Sequence, residues 1–360
     1  MTNEEFAPID QKPKKKKKKN TWLYVLLVMM CITLLASIAL SGYSLHLYSE
    51  SQKELEKALQ TNNQTMYSQE DLDTLLLAAR EEANSEAVKN YREGLRFTAE
   101  NNNGVIYMLR ELYPECLVYF DTNHYVFEDI NTDLPLANFT NENLVANQGF
   151  MEYHQDGQVK SIKGIDVSKY QGNVDWQKVA DSGVEYVMLR LGIRGYETGK
   201  LALDDKFDEN IQGALDAGLD VGVYFFTQAL NEAEAREEAE FVIEALKPYR
   251  ITYPVAVDVE DLNTDKARSY KQSKESRTDC AIAFMERIKQ EGYDTCIYGN
   301  LTTFSKLVDN YRLGDYKKWF AFYDTYIYYP YRIDMWQYSD KGHIDGIEGD
   351  VDLNITFPVD

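Results

Sequence analysis

Apolar and polar positions alternate along the chain from Gly164 onward in a pattern that predicts strands separated by helices. Short runs rich in Val, Ile, Tyr and Phe are typical of strands. Eight such runs follow one another, at 164–168, 186–192, 219–226, 253–260, 294–300, 317–324, 332–339 and 351–357. Segments with helical spacing separate the first six, at 175–182, 203–217, 231–247, 270–290 and 302–311.

Strands that alternate with helices form a parallel sheet, and eight strands are enough to close that sheet into a barrel. No helix fits between the last three strands, because their connections are short and rich in Tyr, Gly and Asp. Residues 161–360 are therefore predicted to form an α/β barrel with five helices and a helix-poor final third.

An apolar segment near the N-terminus predicts a membrane span. Residues 20–49 contain no Asp, Glu, Lys or Arg, and a helix of about 20 apolar residues crosses the hydrocarbon core. A cleaved signal peptide is the alternative, but its apolar part is usually only about 7–15 residues long. We therefore expect a single transmembrane helix over 22–43. Lysines crowd the preceding residues 1–21 and place this basic tail in the cytoplasm, with the rest of the protein outside the cell.

Two segments are predicted between the span and the barrel. Residues 44–96 form a helical stalk, in which Ser68 and Asp71 match a capping box. Its alanine-rich stripe fits a parallel coiled coil, which would make a homodimer, and fits equally a helix packed on its own chain. Residues 97–160 form a small α+β module, in which we identify no chemistry.

Charge and cysteine content exclude two classes of protein. The net charge is −21, although the tail is basic, and nucleic-acid binding requires a basic surface. We therefore expect no nucleic-acid partner. The three cysteines beyond the span are too few for a disulfide framework, although one pair stays open.

A pair of acidic residues ends the fourth strand, YPVAVDVED (253–261). Strand alternation points the valines of this run to one face and both Asp258 and Glu260 to the other, with their Cα atoms roughly 6.5 Å apart. The alternative is that these two acids only end the strand and face solvent, without a role in catalysis. Asp166 in the first strand and Asp352 in the eighth become neighbours when the barrel closes. Reactive groups of such barrels gather at the C-terminal strand ends, so we expect all four acids at one mouth.

Aromatic residues accompany these acids and indicate a sugar ligand. An aromatic ring packs against the C–H face of a sugar and leaves the hydroxyls to carboxylates. Several rings lie near strand ends, and Tyr326, Tyr328, Tyr329 and Tyr331 crowd one loop, where we expect no core for them to fill. Acids and aromatics at one mouth predict glycoside hydrolysis, in which one carboxylic acid protonates the leaving oxygen and others stabilise the developing positive charge.

No metal site and no cofactor are expected. The histidines and cysteines lack the spacing of a zinc site. Asp345, Glu348, Asp350 and Asp352 have the ligand type for calcium but not the spacing of an EF-hand loop.

Six motifs together resemble the successive signatures of the glycoside hydrolase family 25 lysozymes, also called Chalaropsis-type muramidases. They are GIDVSKYQGNVDW (164–176), GVYFFTQA (222–229), DVE (258–260), IYGN (297–300), MWQYS (335–339) and DVDLN (350–354). The resemblance covers about 163–358. It implies an irregular (β/α)5(β)3 TIM-like barrel that cleaves the β-1,4 bond between N-acetylmuramic acid and N-acetylglucosamine in peptidoglycan.

The resemblance also assigns roles to individual residues. Glu260 takes the position of the general acid, and Asp258 that of the acid which orients or stabilises the acetamido group or a water. Asp166 and Asp352 take the positions of two supporting acids. The implied sugar-binding residues are Tyr224, Tyr298, Trp336 and Gln337.

The sequence leaves the mechanism and one alternative function open. Acetamido participation and direct attack by water both fit the acid set. The alternative to a membrane-anchored enzyme of wall remodelling is a scaffold that binds peptidoglycan without cutting it.

Overall fold

The structure of the protein, a computed structural model, describes residues 41–57, 68–100 and 104–358. These residues form two compact units, the first ending at Glu128 and the second beginning at Asp129. The predicted span over 22–43 lies outside the described residues except for 41–43. Within the described residues, no helix combines the length and the apolar character that crossing a membrane requires.

The first unit is mainly helical. Residues 41–57 are helical, and they are followed by helices α1 (Gln69–Glu100) and α2 (Gly104–Leu112) and by a two-stranded sheet of β1 (Cys116–Asp121) and β2 (His124–Asp129). The predicted capping box at the start of α1 is confirmed. The Asp71 amide donates to Ser68 Oγ at 3.1 Å, and the Ser68 amide donates to the Asp71 carboxylate at 2.9 Å.

The apolar stripe of α1 packs on its own chain. Leu76, Ala79 and Ala83 line one cavity together with Ser44 and Leu47 of the preceding helical segment. Ala83 is buried there. This is the second of the two arrangements predicted for the stalk, and the homodimer stays a prediction.

The second unit begins with a three-stranded sheet and continues into a closed barrel. The small sheet contains β3 (Leu144–Asn147), β4 (Phe150–Gln155) and β5 (Gln158–Val159). The eight strands of the barrel ring are β6 (Ile162–Val167), β7 (Tyr186–Arg194), β9 (Asp220–Phe226), β10 (Val255–Asp258), β11 (Thr295–Asn300), β12 (Lys317–Ala321), β13 (Met335–Gly342) and β14 (Val351–Thr356). The short β8 (Leu201–Leu203) pairs with β7 and lies outside the ring. Pairing of β6 with β7 closes the ring.

The direction of the last strand differs from the prediction of a wholly parallel sheet. The strands from β6 to β13 that form the ring are parallel, but β14 runs antiparallel to both of its neighbours, β13 and β6. The physical reason is the short connection over 343–350, because a parallel crossover needs about a dozen residues or more.

The five predicted helical connections are present. They are α3 (Trp176–Asp181), α4 (Phe207–Asp216), α5 (Glu232–Leu246), α6 (Lys274–Gln290) and a π-helical turn over Thr303–Leu307 in place of the last predicted helix. Asp175, Asn231 and Ser273 accept hydrogen bonds from backbone N–H groups at the starts of α3, α5 and α6. These caps satisfy amides that would otherwise lack partners, which fixes where the helices begin.

Strand alternation divides the barrel core into two layers. The inner cluster contains Tyr186, Met188, Ala256, Cys296, Trp319 and Met335. The outer cluster fills the space between the strands and the surrounding elements and includes Val255, Val257 and Val259. This arrangement is the one predicted for the fourth strand, with valines facing outward and Ala256 facing inward.

The cysteines of the described residues form no disulfide. Cys116, Cys280 and Cys296 are buried free thiols. Cys296 lies in the inner cluster, Cys280 lies in the outer one, and Cys116 lies in the first unit. The pair that the sequence left open is therefore absent among them.

Residues 129–160 belong with the barrel, which differs from the predicted separate module over 97–160. The Asn141 side chain exchanges hydrogen bonds with the backbone of Ile327 at 2.8 and 3.0 Å. The Met151 amide donates to the Tyr338 hydroxyl at 3.1 Å. The reason for this packing is the helix-poor final third, whose strands need a cover on their outer face.

Aromatic residues of this segment provide that cover. Phe139 stacks on Phe357 with ring centroids 5.3 Å apart, and Tyr153 meets the same ring edge-on at 5.3 Å. All three rings belong to the outer cluster of the barrel. Burying one aromatic or large aliphatic side chain contributes about 1.5–3 kcal/mol. The segment therefore replaces the missing helices.

Truncation of Phe139 tests this account of residues 129–160. Phe139 is 9% exposed, and Phe139→Ala should lower the free energy of barrel unfolding by about 3–5 kcal/mol, because it leaves a cavity over Phe357. Denaturant unfolding followed by fluorescence of the barrel tryptophans measures the change. Leu136→Ala is the matched control, since Leu136 is 49% exposed and should matter by only about 0.5 kcal/mol. Equal effects of the two variants would show that the segment does not stabilise the barrel.

Candidate active site

Strand β10 carries the central pair of acids to one end of the barrel. The Ala256 side chain of this strand points into the barrel. Asp258, two residues further on and the last residue of the strand, therefore points inward as well, and Glu260 follows on the same side. Asp258 is buried, and one of its carboxylate oxygens accepts no hydrogen bond from the described residues. A hydrogen bond links the Asp258 and Glu260 carboxyls.

Pairing of β14 with β6 brings in the second pair of acids. In this antiparallel register Asp352 lies directly opposite Asp166, as the sequence predicts for neighbouring first and last strands. The sequence expected Asp352 at the C-terminal end of a parallel strand. It lies instead near the start of the antiparallel β14, and this reversal puts it at the same end of the barrel as the other acids.

Two amides hold Asp166 in place. Gln337 Nε2 donates to Asp166 Oδ2 at 2.8 Å, and Asn354 Nδ2 donates to the same oxygen at 2.7 Å. The Gln337 carbonyl oxygen in turn accepts from the Tyr298 hydroxyl at 2.8 Å and from the Tyr323 hydroxyl at 2.9 Å. Gln337 is therefore a predicted site residue that contacts an acid directly.

Burial raises the pKa of all four acids. It is the largest cause for Asp166 and Asp352, whose carboxyls are joined by a hydrogen bond, and the charge of Asp166 raises the pKa of Asp352 further. For Asp258 the negative charge of Glu260 adds to burial, and for Glu260 the charge of Asp166 adds to it. Carboxylates that share a poorly solvated site cannot all ionise together. This site therefore keeps protons bound at pH values well above the ordinary pKa range of carboxyl groups.

The predicted sugar-binding aromatics fall into two groups. Tyr224 and Tyr298 are half-buried and pack on Trp319 of the inner cluster, with ring centroids 5.8 and 4.6 Å apart. The charges of Asp166 and Asp258 act on both hydroxyls and raise their pKa in addition to burial. Both rings therefore face the acids.

Trp336 does not line the cleft, so this part of the prediction is wrong. It is 0% exposed, packs in the outer cluster, and donates its indole N–H to the Phe322 carbonyl oxygen at 2.8 Å. The reason is strand alternation, because Gln337 points inward and its neighbour must then point outward.

The tyrosine loop also differs from the prediction. Tyr329 and Tyr331 are buried in the outer cluster. The Tyr331 hydroxyl accepts from the Asn131 amide at 3.0 Å, and the Tyr329 hydroxyl donates to Asn310 at 3.2 Å. The loop does have a core to fill, since residues 129–143 pack over it.

A cation near the acids was missed from the sequence. Arg190 of β7 binds Asp204 through Nε at 2.7 Å and Nη2 at 2.6 Å. Its positive charge lowers the pKa of Asp258 and of Tyr224, against the effect of burial. The available signal was a charged residue inside the apolar run YVMLRLG.

An exposed aromatic ring sits on this arginine. The Tyr170 ring lies 4.9 Å from the Arg190 guanidinium, in the turn that follows β6, and it is 63% exposed. One face of the ring is thus packed while much of the side chain is open to solvent. Such a ring can support a sugar at the mouth.

Three further site residues were not predicted. Asn354 and Tyr323 form the hydrogen bonds given above, and Trp319 donates its indole N–H to Asn354 Oδ1 at 2.8 Å. Asn354 belongs to the motif DVDLN, but its role depends on the strand direction, which the motif does not give.

The acidic segment considered for calcium has other contacts. Asp350 lies 3.0 Å from the Lys341 ammonium. Across the described ranges 41–57, 68–100 and 104–358, no group of three or more His, Cys, Asp or Glu side chains has a metal-binding arrangement.

Comparison with known proteins places this site in a family. The model of glycosyl hydrolases family 25 matches residues 165–347. The chain belongs to this family. The predicted glycoside hydrolase is thereby confirmed, and the eight-stranded barrel with helices is consistent with the fold of family 25.

Relatives of this family 25 chain include named lysozymes. The autolytic lysozyme of Clostridium acetobutylicum is 30% identical over 54% of this chain and 55% of its own length. YegX of Escherichia coli K12, an uncharacterized protein, is 28% identical over 54% of this chain and 69% of its own. The structure of the modular autolysin LytC of Streptococcus pneumoniae has a TM-score of 0.50 and 25% identity, with 60% of this chain and 58% of LytC covered. The chain therefore spans little more than half of two of these proteins.

Replacement of Tyr170 tests its place at the mouth. Tyr170→Ala should raise KM for peptidoglycan about 2–10-fold with little change in kcat, because an aromatic contact to the sugar is lost. Steady-state digestion of solubilised glycan strands measures both constants. Tyr311→Ala is the control, since Tyr311 is 68% exposed but precedes β12, at the other end of the barrel. A KM equal in the two variants would remove Tyr170 from the site.

Proposed function

We propose that the protein is a membrane-anchored cell-wall lysozyme that hydrolyses the β-1,4 bond between N-acetylmuramic acid and N-acetylglucosamine in peptidoglycan. The observation that carries this proposal is the convergence of Asp166, Asp258, Glu260 and Asp352 at one barrel mouth, with the pKa of each raised. The name of the Clostridium acetobutylicum relative, an autolytic lysozyme, supports the same substrate class.

Glu260 acts as the general acid in this mechanism. It donates its proton to the bridging oxygen while the bond from that oxygen to the anomeric carbon breaks, and positive charge develops on the sugar ring. Asp166 and Asp258 face that charge. Water then supplies a hydroxyl to the anomeric carbon, and its remaining proton returns to the carboxylates of the site. Acetamido participation and direct attack by water both end at the same reducing sugar.

The Glu260→Gln variant tests the assignment. The amide cannot donate a proton as a carboxylic acid does, so the rate of glycan cleavage should fall about 10²–10⁴-fold. Mass spectrometry of products from purified peptidoglycan measures new reducing N-acetylmuramic acid ends. Glu348→Gln is the matched control, because Glu348 is exposed and should cut at the wild-type rate.

Two outcomes would contradict this function. Unchanged cleavage by Glu260→Gln would remove the general acid from the mechanism. Wild-type protein that binds glycan and produces no reducing ends would instead support the non-catalytic scaffold.

The pH dependence of cleavage follows from the raised pKa of Glu260. Burial is its first cause, and the charge of Asp166 adds to it. Because a raised pKa keeps the carboxyl protonated to higher pH, activity should persist well above the ordinary Glu value of 4.5 and fall as Glu260 ionises. The basic limb of a kcat/KM profile measures this. A basic limb at that ordinary value would contradict the assigned role.

The membrane anchor is part of the proposal and is supported by the sequence alone. The apolar residues 22–43 follow a lysine-rich tail, which favours a cytoplasmic N-terminus and an extracellular barrel. An anchored enzyme of this kind would remodel the wall close to the membrane.

Cell fractionation tests the anchor. Full-length protein should sediment with membranes and resist extraction by salt, because a transmembrane helix is held by apolar burial rather than by charge. A variant in which an arginine replaces each of two central leucines of the span is the control for hydrophobic insertion. Recovery of the full-length chain in the soluble fraction would contradict the anchor.

A further inference from the structure

The orientation of one buried amide is fixed by a group that can only donate. The indole N–H of Trp319 lies 2.8 Å from Asn354 Oδ1, and both residues are almost fully buried. An indole nitrogen has no acceptor capacity. The atom of Asn354 that faces it must therefore be the carbonyl oxygen, and the amide nitrogen must face Asp166.

This orientation determines the state of one oxygen of Asp166. Asn354 Nδ2 donates to Asp166 Oδ2 at 2.7 Å, and Gln337 Nε2 donates to the same atom at 2.8 Å. An oxygen that accepts two N–H groups cannot also carry a proton directed at them. Hydrogen bonds to a charged acceptor stabilise the ionised form.

Asp352 has the opposite environment. It lies across the strand register from Asp166, and a hydrogen bond joins the two carboxyls. Burial, the charge of Asp166 and this hydrogen bond all favour its neutral form. Of the two carboxyls, Asp352 is therefore the one that preferentially holds the shared proton.

We propose that Trp319 and Asn354 are positioning residues that hold Asp166 as the carboxylate of the Asp166–Asp352 pair, so that the shared proton stays on Asp352. The proposal deepens the proposed function, on which its kinetic reading rests. Asp166 then presents a permanent negative charge to the sugar cation, and Asp352 presents an O–H donor.

Other charged and titratable groups surround the pair. Those that interact with Asp166 are Tyr186, Asp258, Glu260 and Tyr298, those that interact with Asp352 are Asp340 and Lys341, and those that interact with both are Tyr224 and Tyr323. The positive charge of Arg190 acts on Asp258. The negative charges among these groups raise the proton affinity of the carboxyl that they face. The amide donors act on Asp166 alone, and this asymmetry decides which carboxyl holds the proton.

Two tryptophan variants test the proposal. Trp319→Phe keeps an aromatic ring but removes the N–H, which lets the Asn354 amide turn its oxygen toward Asp166. Trp336→Phe is the matched control, because Trp336 is also buried and also donates an N–H at 2.8 Å, but to the Phe322 carbonyl oxygen. Thermal unfolding checks that both variants fold.

The first measurement does not depend on turnover. Carbon-13 NMR of labelled aspartate carboxyls in the full-length protein follows the titration of Asp166 and Asp352. In wild type, Asp166 should be ionised and Asp352 protonated at neutral pH. In Trp319→Phe the Asp166 transition should move up by roughly one to two pH units, since a hydrogen bond to a charged group is lost. Identical Asp166 titrations in the two variants would overturn the proposal.

The second measurement is the pH profile of peptidoglycan cleavage. Because Asp166 must be ionised, the acid limb of Trp319→Phe should move upward with its titration, while that of Trp336→Phe matches wild type. A shift of one unit lowers the rate on that limb about tenfold. Coincident acid limbs in the two variants would contradict the proposal. If wild type cuts no peptidoglycan, the proposed function fails, and the NMR titration still decides the proton's position.

A second substitution covers the case in which Trp319→Phe does not fold. Asn354→Asp has nearly the same volume and still accepts the indole N–H. It removes the donor to Asp166 and adds a negative neighbour, so the Asp166 transition should rise further than in Trp319→Phe. An unchanged Asp166 transition in Asn354→Asp would overturn the proposal.

Discussion

The site depends on the antiparallel pairing of β14 with β6. This pairing closes the sheet and leaves no free edge between the first and last ring strands. It also sets Asp352 opposite Asp166, and places Asn354 two residues further along the strand, on the same inward face. One backbone register therefore supplies a carboxyl pair and the amide that polarises it. A slip of β14 by one residue would turn both Asp352 and Asn354 outward.

The rest of the second unit supports that closure. The ring strands without helices, β12 to β14, would expose their outer residues, and residues 129–160 cover this face with Phe139, Tyr153 and the backbone of β4. The same segment holds the loop over 322–331 through Asn141. That loop carries Tyr323, whose hydroxyl reaches Gln337. The predicted domain boundary at residue 160 therefore separates residues 129–160 from the barrel that they support, including the loop with Tyr323 at the mouth.

Much of the fold could be predicted because it is encoded locally. Alternation in 253–261 gave the inward placement of Asp258, and the spacing of apolar positions gave the helical connections. Alternation also predicts that Trp336 faces away from the cleft, because two adjacent strand residues cannot both face it and Gln337 does. The direction of β14 could have been inferred from the short connection over 343–350.

The remaining differences arise from tertiary contacts that no local pattern carries. The buried tyrosines of the 322–331 loop depend on a segment almost two hundred residues away in the chain, such as Asn131 against Tyr331. The role of Arg190 depends on its contacts with Asp204 and Tyr170, and these three residues come from different parts of the sequence. Long-range packing of this kind decides which aromatic rings remain available to a ligand.

We propose that the glycan is cut at the mouth that bears the four acids. A crystal structure of the protein carrying Glu260→Gln, with a peptidoglycan fragment bound, would locate the scissile bond. We expect a glycosidic oxygen within hydrogen-bond distance of residue 260, with the sugar that bears the scissile bond over Asp166 and Asp258. A fragment bound elsewhere on the protein, with the mouth free of sugar, would contradict it.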